Sequence, residues 1–311
     1  MKKYRFVKIV LLIVFLLFIV IAVSFGKIYF DVKKTLNQSY EKVERKGKYK
    51  YKAIHLSQQP DEEKLSPLNI LLLGIDTGDL GRIDQGRSDA LILATINPKN
   101  KTVLFTSIAR DTYTEIVGYG STDKINHAYA FGGTSMSVNT VSNLLDTPVD
   151  YYVSLNMKGV EELIDAVGGI TINNPLKFEY EGETFKIGDT YLDGTKGLKY
   201  IRMRYDDPEG DYGRQKRERQ VVQGIANSLK SINNFTLYQK ILEILGENMK
   251  TNIAMDDIFK LYTKYLGSIN TQNSEQLMGT GFMLNDISYQ KVSDAELKRV
   301  RDKIHRELEN R

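Results

Sequence analysis

Short apolar runs alternate with helical patterns along the chain after residue 67. The predicted strands are Asn69–Leu73, Ala90–Ile96, Thr102–Ile108, Tyr151–Val153 and Ile170–Ile172, and the predicted helices are Gly133–Leu145 and Met157–Val167. The second and third strands flank Asn97–Asn100, which has the turn chemistry of a β-hairpin. This alternation predicts an α/β fold in which helices cover a central sheet.

The first 26 residues have a different pattern, with basic residues followed by an uncharged apolar run. Lys2, Lys3, Arg5 and Lys8 precede Ile9–Gly26, which is 18 residues long. A membrane-spanning helix needs about 17–25 residues, and basic residues hold their end in the cytoplasm. A cleaved signal peptide is the competing interpretation, with Ala22 and Ser24 as small residues near its cleavage site. We favour an uncleaved single-pass anchor in the cell membrane, with the remaining chain outside.

The sequence then divides into a connecting segment, one large domain and a C-terminal extension. Ile28, Val32, Leu36 and Val43 are near helical spacing and predict a stalk. Ser293–Glu296 has the pattern of a capping box, so we expect a peripheral C-terminal helix. The predicted organisation is a cytoplasmic tail at 1–8, the anchor at 9–26, stalk and linker at 27–66, one large domain at 67–255 and a helical extension at 256–311.

Charge and composition exclude several classes of function. The net charge is +4, and part of it belongs to the N-terminal tail, so nucleic acid is not an expected partner. The chain has no cysteine, which excludes a lipoprotein anchor, disulfides, thiolate catalysis and a cysteine metal site.

Arginines are concentrated between Tyr200 and Gln220. If Tyr200–Arg204 is extended, Arg202 and Arg204 lie on one face, about 7 Å apart. Arg214 and Arg217 then open an amphipathic helix. Cations oppose the dipole of a first helical turn, so their presence there suggests a bound anion such as a phosphate. A surface network of ion pairs with the nearby aspartates is the alternative.

Two aspartates flank the loop between the first two predicted strands. Asp76 ends one strand and Asp89 precedes the next, and ligands collect at the ends of strands in α/β sheets. One or two carboxylates together with substrate phosphates suit Mg²⁺ or Mn²⁺. Each aspartate taken alone is better explained as a turn residue.

Seven segments then occur in the order of a known family. They are LLLGID (Leu71–Asp76), GRSDALIL (Gly86–Leu93), TSIARDTY (Thr106–Tyr113), KINHAYAFGG (Lys124–Gly133), DAVGGI (Asp165–Ile170), YIRMR (Tyr200–Arg204) and GDYGRQKR (Gly210–Arg217). Over about residues 67–250 the chain closely resembles the LytR–CpsA–Psr family of Gram-positive envelope proteins.

The resemblance implies a phosphotransferase with an α/β/α sandwich fold and a channel for a lipid tail. Such proteins transfer an anionic glycopolymer (teichoic acid, capsule or another wall polysaccharide) from a polyprenyl pyrophosphate carrier to a peptidoglycan hydroxyl. It implies a divalent cation on Asp76 and Asp89, pyrophosphate bound by Arg87, Arg110, Arg202, Arg204, Arg214 and Arg217, and catalysis by Asp76, Asp89 and Arg110. The expected partners are the lipid-linked polymer, peptidoglycan and membrane lipid.

The chain departs from the family pattern at two positions. Ala109 stands where the family commonly has proline, and Glu218 stands where it usually has glutamine. Because a carboxylate repels phosphate, we expect Glu218 to point away or to pair with an arginine. The proton acceptor for the sugar hydroxyl stays open, and we interpret His127 as structural. A metal-dependent pyrophosphate hydrolase and a non-catalytic membrane-anchored regulator remain as alternatives.

Overall fold

The structure is a computed structural model that describes residues 26–27, 30–49, 56, 65–77, 85–230, 235–265 and 269–309. The strands are β1 (Leu68–Ile75), β2 (Ser88–Asn97), β3 (Thr102–Ile108), β4 (Tyr113–Ile116), β5 (Ser121–Lys124), β6 (Tyr151–Asn156), β7 (Ile170–Asn174), β8 (Phe178–Tyr180), β9 (Glu183–Phe185), β10 (Gly188–Leu192), β11 (Met249–Thr251), β12 (Thr271–Leu277), β13 (Thr280–Leu284) and β14 (Ile287–Lys291). The helices are α1 (30–39), α2 (His127–Leu145), α3 (Met157–Ala166), α4 (Gly194–Arg202), α5 (Asp211–Lys230), α6 (Phe235–Asn248), α7 (Met255–Lys260) and α8 (Asp294–Glu307), and a π-helical turn follows α7 at Leu261–Tyr265.

A six-stranded mixed sheet forms the centre of the fold, with the strand order β11-β6-β1-β2-β3-β12. β1 and β3 both run antiparallel to β2, so their C-terminal ends lie at the same edge of the sheet. β6 is parallel to β1, and β12 is parallel to β3. The predicted α/β class and the predicted hairpin of the second and third strands are confirmed.

Side chains alternate along the central strands, and both faces of the sheet are buried. Leu71 and Leu73 of β1 pack with α2 and α8, whereas Leu68 and Ile70 pack with Leu261 and Tyr265 on the opposite face. A strand with both faces covered by helical layers is apolar along its whole length. This accounts for the continuous apolar run that predicted β1.

The four smaller sheets are two-stranded, and they pair β4 with β5, β7 with β10, β8 with β9 and β13 with β14. β7 contains the predicted strand Ile170–Ile172, which therefore lies outside the central sheet. Its side chains belong to a second core formed with α3, α4 and α5.

Helix α2 begins six residues before the predicted start at Gly133, because a short helical piece precedes a kink. Gly132 and Gly133 have non-helical dihedrals, and φ of Gly133 is 61°. Glycine adopts that conformation without a steric penalty. The turn before the kink places Asn126 and His127 near the strand ends described below.

The predicted stalk is wrong for the part of residues 27–66 that the structure describes. Leu36 and Val43 are buried, and Thr35 donates to the carbonyl of Leu242 on α6. Arg45 donates to the carbonyls of Val149 and Asp150 at 2.6 and 2.9 Å. This segment packs onto the domain because hydrogen bonds from Thr35 and Ser39 hold α1 against α6, and Val43 after α1 is part of the main core.

The prediction of a peripheral C-terminal extension is also wrong. β12 completes one edge of the central sheet, and Val300 and Ile304 of α8 are fully buried in the main core. The predicted N-cap is present, since Ser293 accepts a hydrogen bond from the backbone of Glu296 at 3.2 Å.

Residues 1–25, which contain almost all of the predicted anchor Ile9–Gly26, lie outside the described residues. Across the ranges that are described, none of the helices has both the length and the apolar character needed to span a bilayer.

Candidate active site

A β-bulge shapes the end of the sheet where β1 stops and β2 starts. Gly74 is opposite Ala90 but Ile75 is opposite Ser88, so Asp89 is the extra residue. A bulge turns a side chain away from the regular pleat and is common beside functional sites. Asp76 follows β1, and its Oδ1 accepts a hydrogen bond from the backbone N–H of Arg87 at 2.5 Å. Asp76 and Asp89 therefore lie on adjacent strands at one edge.

Gly86 allows this close approach of the two chain segments. A Cβ at residue 86 would lie 2.1 Å from Oδ1 of Asp76 and 2.6 Å from Oγ1 of Thr77. Gly86 also donates its N–H to Oγ1 of Thr77 at 2.8 Å. A larger residue at this position would displace the Asp76 carboxylate.

The Asp89 side chain is held from two directions. Nη1 of Arg110 lies 2.7 Å from Oδ2, and the Asn126 amide donates to Oδ1 at 3.2 Å. Arg214 of α5 donates to the backbone carbonyl of Asp89 at 3.2 Å. Residues from β2, from the segment after β3, from the start of α2 and from α5 thus meet at Asp89.

A second carboxylate, Asp111, connects further cations to the same place. Nζ of Lys124 is 2.7 Å from Oδ1 of Asp111, and Nη2 of Arg204 is 3.9 Å from Oδ2. Asp211 in turn lies 2.9 Å from Nη2 of Arg214 and 3.9 Å from Nε of Arg204. We call the residues Asp89, Arg110, Asp111, Lys124, Arg204, Asp211, Arg214 and Glu218 the charge cluster.

Unsatisfied polar atoms are concentrated at this cluster. Over the described part of the chain, seven buried side-chain polar atoms have no hydrogen-bond partner. Five of them lie in the charge cluster or beside it, and they are Ser88 Oγ, Arg110 Nε, Asn126 Oδ1, Asp211 Oδ1 and Arg214 Nε. Of these, Asp211 Oδ1 still has Nη2 of Arg214 at 2.9 Å as an ion-pair partner. Buried polar groups in native proteins nearly always have a partner. The concentration therefore marks a place built for a polar ligand.

Burial and the neighbouring carboxylates have opposing effects on the pKa of Arg214. Its side chain is 8% exposed, and burial alone would lower the pKa of its guanidinium. The carboxylates of Glu218, Asp211, Asp89 and Asp111 outweigh burial and raise that pKa. Arg214 consequently stays charged inside the protein.

Glu218 is on the same side of α5, one turn after Arg214. Oε1 of Glu218 is 3.6 Å from Nε of Arg214, so the expected pairing with an arginine is confirmed. Burial raises the pKa of Glu218 to about 7 against the opposing effect of Arg214. Part of the Glu218 population is thus protonated at neutral pH, which reduces its repulsion of an anion.

Comparison with known proteins identifies the family. The family model described as the LytR_cpsA_psr family matches residues 27–306. The chain belongs to the LytR–CpsA–Psr family. The match includes the N-terminal segment that packs on the domain and the C-terminal strand and helix.

Relatives of known name are similar over most of their length. The polyisoprenyl-teichoic acid–peptidoglycan teichoic acid transferase TagU of Enterococcus faecalis is 46% identical over 296 residues, which are 95% of each chain. The crystal structure of B. subtilis TagU superposes with a TM-score of 0.64 at 40% identity, and it covers 79% of this chain and 98% of that chain. The structure titled TagT bound to LIIa-WTA gives a TM-score of 0.66 at 30% identity, with 81% and 95% covered.

The residues assigned by the family resemblance have different surroundings. Asp89, Arg110, Arg204 and Arg214 come together in the charge cluster, and Asp76 and Arg87 adjoin it at the bulge. Arg202 is the last residue of α4, and its positive charge acts on Tyr180. The extended conformation considered for Tyr200–Arg204 does not occur, because α4 continues through Arg202.

Arg217 is bonded to a different set of partners. It is 3% exposed, and it donates to the carbonyls of Tyr200 and Met203 at 3.0 and 2.5 Å. Its Nη1 also forms an ion pair with the buried carboxylate of Asp207. These contacts bind the end of α4 to α5 and give Arg217 a structural role, and its phosphate contact stays a prediction.

Two residues of the cluster, and a third that contacts it, were missed by the sequence reasoning. Asp111 and Lys124 form an ion pair, and Asn126 positions Asp89. All three lie in the segments TSIARDTY and KINHAYAFGG that carried the resemblance. The motifs contained the signal, but the pairing of Asn126 with Asp89 spans 37 positions and requires the fold.

Proposed function

We propose that this protein transfers teichoic acid from a polyprenyl pyrophosphate carrier to a peptidoglycan hydroxyl. The observation that carries the proposal is the concentration of unsatisfied polar atoms in the charge cluster of a chain whose relatives include a teichoic acid transferase with 46% identity. The names of those relatives favour teichoic acid over capsular or other wall polysaccharides.

The chemistry of the cluster suits a pyrophosphate. Two of the unsatisfied atoms are the guanidinium N–H groups of Arg110 and Arg214, and arginine forks match phosphate oxygens. During transfer, the acceptor oxygen forms a bond to phosphorus while the bond to the polyprenyl phosphate breaks. The negative charge on the departing phosphate is stabilised by Arg110, Arg204 and Arg214.

We also propose that Asp76 and Asp89 hold a divalent cation, Mg²⁺ or Mn²⁺. Asp76 directly follows β1, and Asp89 is the extra residue of the bulge on the adjacent strand β2. Two carboxylates are enough for such a cation, because substrate phosphates and water complete its shell. Such a cation supplies positive charge beside the phosphates.

The test is a transfer assay with the protein beyond its anchor, Mg²⁺, a polyprenyl-pyrophosphate-linked teichoic acid precursor and peptidoglycan oligomers. We expect a product in which polymer and oligomer are joined by a phosphodiester. Free sugar phosphate without joined product would indicate a hydrolase, and binding without turnover would indicate a regulator. Either result contradicts the proposal.

We further propose that Ile9–Gly26 anchors the protein in the cell membrane, with the domain on the outer face. The supporting observation is the basic tail that precedes this apolar run. Protease added to intact protoplasts should remove the domain, and full protection of the domain would contradict this topology.

A further inference from the structure

A row of three rings leads away from the charge cluster along the protein surface. The rings of His127 and Phe131 have centroids 5.7 Å apart, and Phe131 stacks on Tyr119 at 4.1 Å with an interplanar angle of 14°. Phe131 is 39% exposed and Tyr119 is 53% exposed. We call His127, Phe131 and Tyr119 the ring row.

The ring row is continuous with the charge cluster. His127 directly follows Asn126, whose amide donates to Asp89. Tyr119 lies in the turn between β4 and β5, and Lys124 at the other end of β5 binds Asp111. Lys124 is three residues after Ser121 along β5, a span of about 10 Å. The row therefore starts at the cluster and ends roughly that distance from it.

The orientation of His127 is fixed by a carboxylate. Nδ1 lies 2.8 Å from Oδ2 of Asp123, and Asp123 is held in turn by the backbone N–H of Lys124 at 2.7 Å and the hydroxyl of Tyr289 at 3.3 Å. Because an ionised carboxylate only accepts hydrogen bonds, Nδ1 carries the hydrogen in the neutral ring. Nε2 is then an acceptor, which suits a hydroxyl group.

The chemistry of the row suits a neutral sugar better than the anionic donor. The exposed rings offer flat apolar faces, and His127 offers one oriented acceptor. Binding sites for uncharged organic ligands combine apolar and aromatic walls with a few placed polar groups. Asp123 adds negative charge beside His127, and this charge disfavours a phosphate. The cations needed for phosphate lie in the charge cluster.

We propose that the ring row is the subsite for the acceptor sugar of peptidoglycan. Tyr119 and Phe131 stack against a sugar ring, and Nε2 of His127 accepts a hydrogen bond from a sugar hydroxyl. This assignment rests on the proposed transferase function, and it adds where the second substrate lies. The acceptor then approaches the cluster from the side of α2 and the β4–β5 hairpin.

The experiment measures transfer at a saturating concentration of lipid-linked donor while a peptidoglycan tetrasaccharide is titrated as acceptor. Tyr119→Ala and Phe131→Ala should each raise the acceptor concentration for half-maximal rate by roughly three- to ten-fold, the typical contribution of one aromatic contact. Phe131→Tyr keeps an aromatic face, so it should rescue most of the loss that Phe131→Ala causes. Tyr191→Ala is the matched control, because Tyr191 is 57% exposed on β10, outside the row.

Donor affinity, measured in parallel with a polyprenyl pyrophosphate, separates this inference from the proposed function. Unchanged donor affinity with weakened acceptor use supports the subsite. An unchanged acceptor dependence in both alanine variants would overturn it, as would an equal loss of donor affinity, which would assign the row to the donor. If the wild type binds no donor, the proposed function itself fails. His127→Phe keeps the ring and removes the acceptor nitrogen, so it should also weaken acceptor use.

Discussion

Arg214 and Arg217 lie one turn apart on α5 and have opposite surroundings. Nε of Arg214 has no hydrogen-bond partner, whereas Arg217 donates to two carbonyls and pairs with Asp207. A buried cation that is fully bonded stabilises the fold, and one with an unused donor can bind a ligand. This difference separates residues that the motif GDYGRQKR treats alike.

Arg217→Ala should therefore lower the free energy of unfolding by about 3–5 kcal/mol, since it leaves the Asp207 charge buried and unpaired.

Arg204→Ala should instead weaken polyprenyl pyrophosphate binding by roughly ten- to over a hundred-fold, because a hydrogen bond to a charged group contributes about 1.5–3 kcal/mol. Denaturant melts and ligand titrations measure the two effects. Lys216→Ala is the control, as Lys216 is 48% exposed. A stable Arg217→Ala protein that has lost binding would reverse the assignment.

Asp76 and Asp89 should act together on a divalent cation. Replacing either by Ala should abolish the rise in melting temperature that Mg²⁺ or Mn²⁺ causes, together with metal-dependent transfer. The fold should remain, since each carboxylate lies at the edge of the sheet. Circular dichroism and a thermal shift titrated with metal measure these outcomes. A full metal response in both variants would show that the cation binds elsewhere.

The central strands were predictable because burial on both faces leaves a continuous apolar run, as in LLLGI of β1. β12 was not predictable, because its sequence TQNSEQL exposes most of its side chains and buries only Leu277 fully. Tyr200–Arg204 was considered as an extended segment, because its apolar and basic residues alternate. The structure instead has α4 through Arg202, and Asp193 caps that helix through the N–H of Lys196.

The site was predictable as a set of motifs but not as a set of contacts. Asp76, Asp89, Arg110 and Arg214 stand at the ends of elements, where chemistry is expected. Arg217 contacts Met203 whereas Arg214 contacts Asp89, and this difference depends on how α4 packs against α5. Spacing along one helix does not contain that information.

Helix α8 is attached to β12 through Glu275, and this attachment should depend on pH. Burial would raise the pKa of Glu275, but hydrogen bonds from Arg299 and Lys303 outweigh burial and lower it to about 2. Because the folded pKa lies below the unfolded value, the stabilisation is present above about pH 4.5 and is lost as the pH falls toward 2.

Glu275→Gln should reduce the unfolding free energy at pH 7 by on the order of 1–2 kcal/mol, since both cations are partly exposed. The difference from wild type should shrink on acidification. Urea melts between pH 3 and 7 measure it, and Asp302→Asn, in an exposed pair with Lys298, should behave as wild type. A constant difference across this range would show that the ion pairs contribute nothing.

At the scale of the whole molecule, the domain begins earlier than the sequence suggested. A protein shortened to begin at Ser66 loses the buried Leu36 and Val43 and the Arg45 contacts. We expect it to be about 3–6 kcal/mol less stable than one that begins at Lys27, from two aliphatic side chains alone. Equal melting temperatures for these two proteins would contradict this expectation and would support the interpretation of residues 27–66 as a stalk.

Segments near both ends of the described chain pack onto the same domain, and this determines when the protein can fold. Oγ1 of Thr102 on β3 is hydrogen-bonded to Glu307 across 205 positions, and Thr35 on α1 binds a carbonyl 207 positions later. Contacts this distant form slowly, because the intervening loop must close first. During synthesis the central sheet cannot be completed before β12 and α8 have been translated. We therefore expect the domain to fold only when translation is nearly finished. A chain that stops about forty residues early lacks most of β12 and all of α8, so we expect it to have an incomplete core and to be removed by proteases.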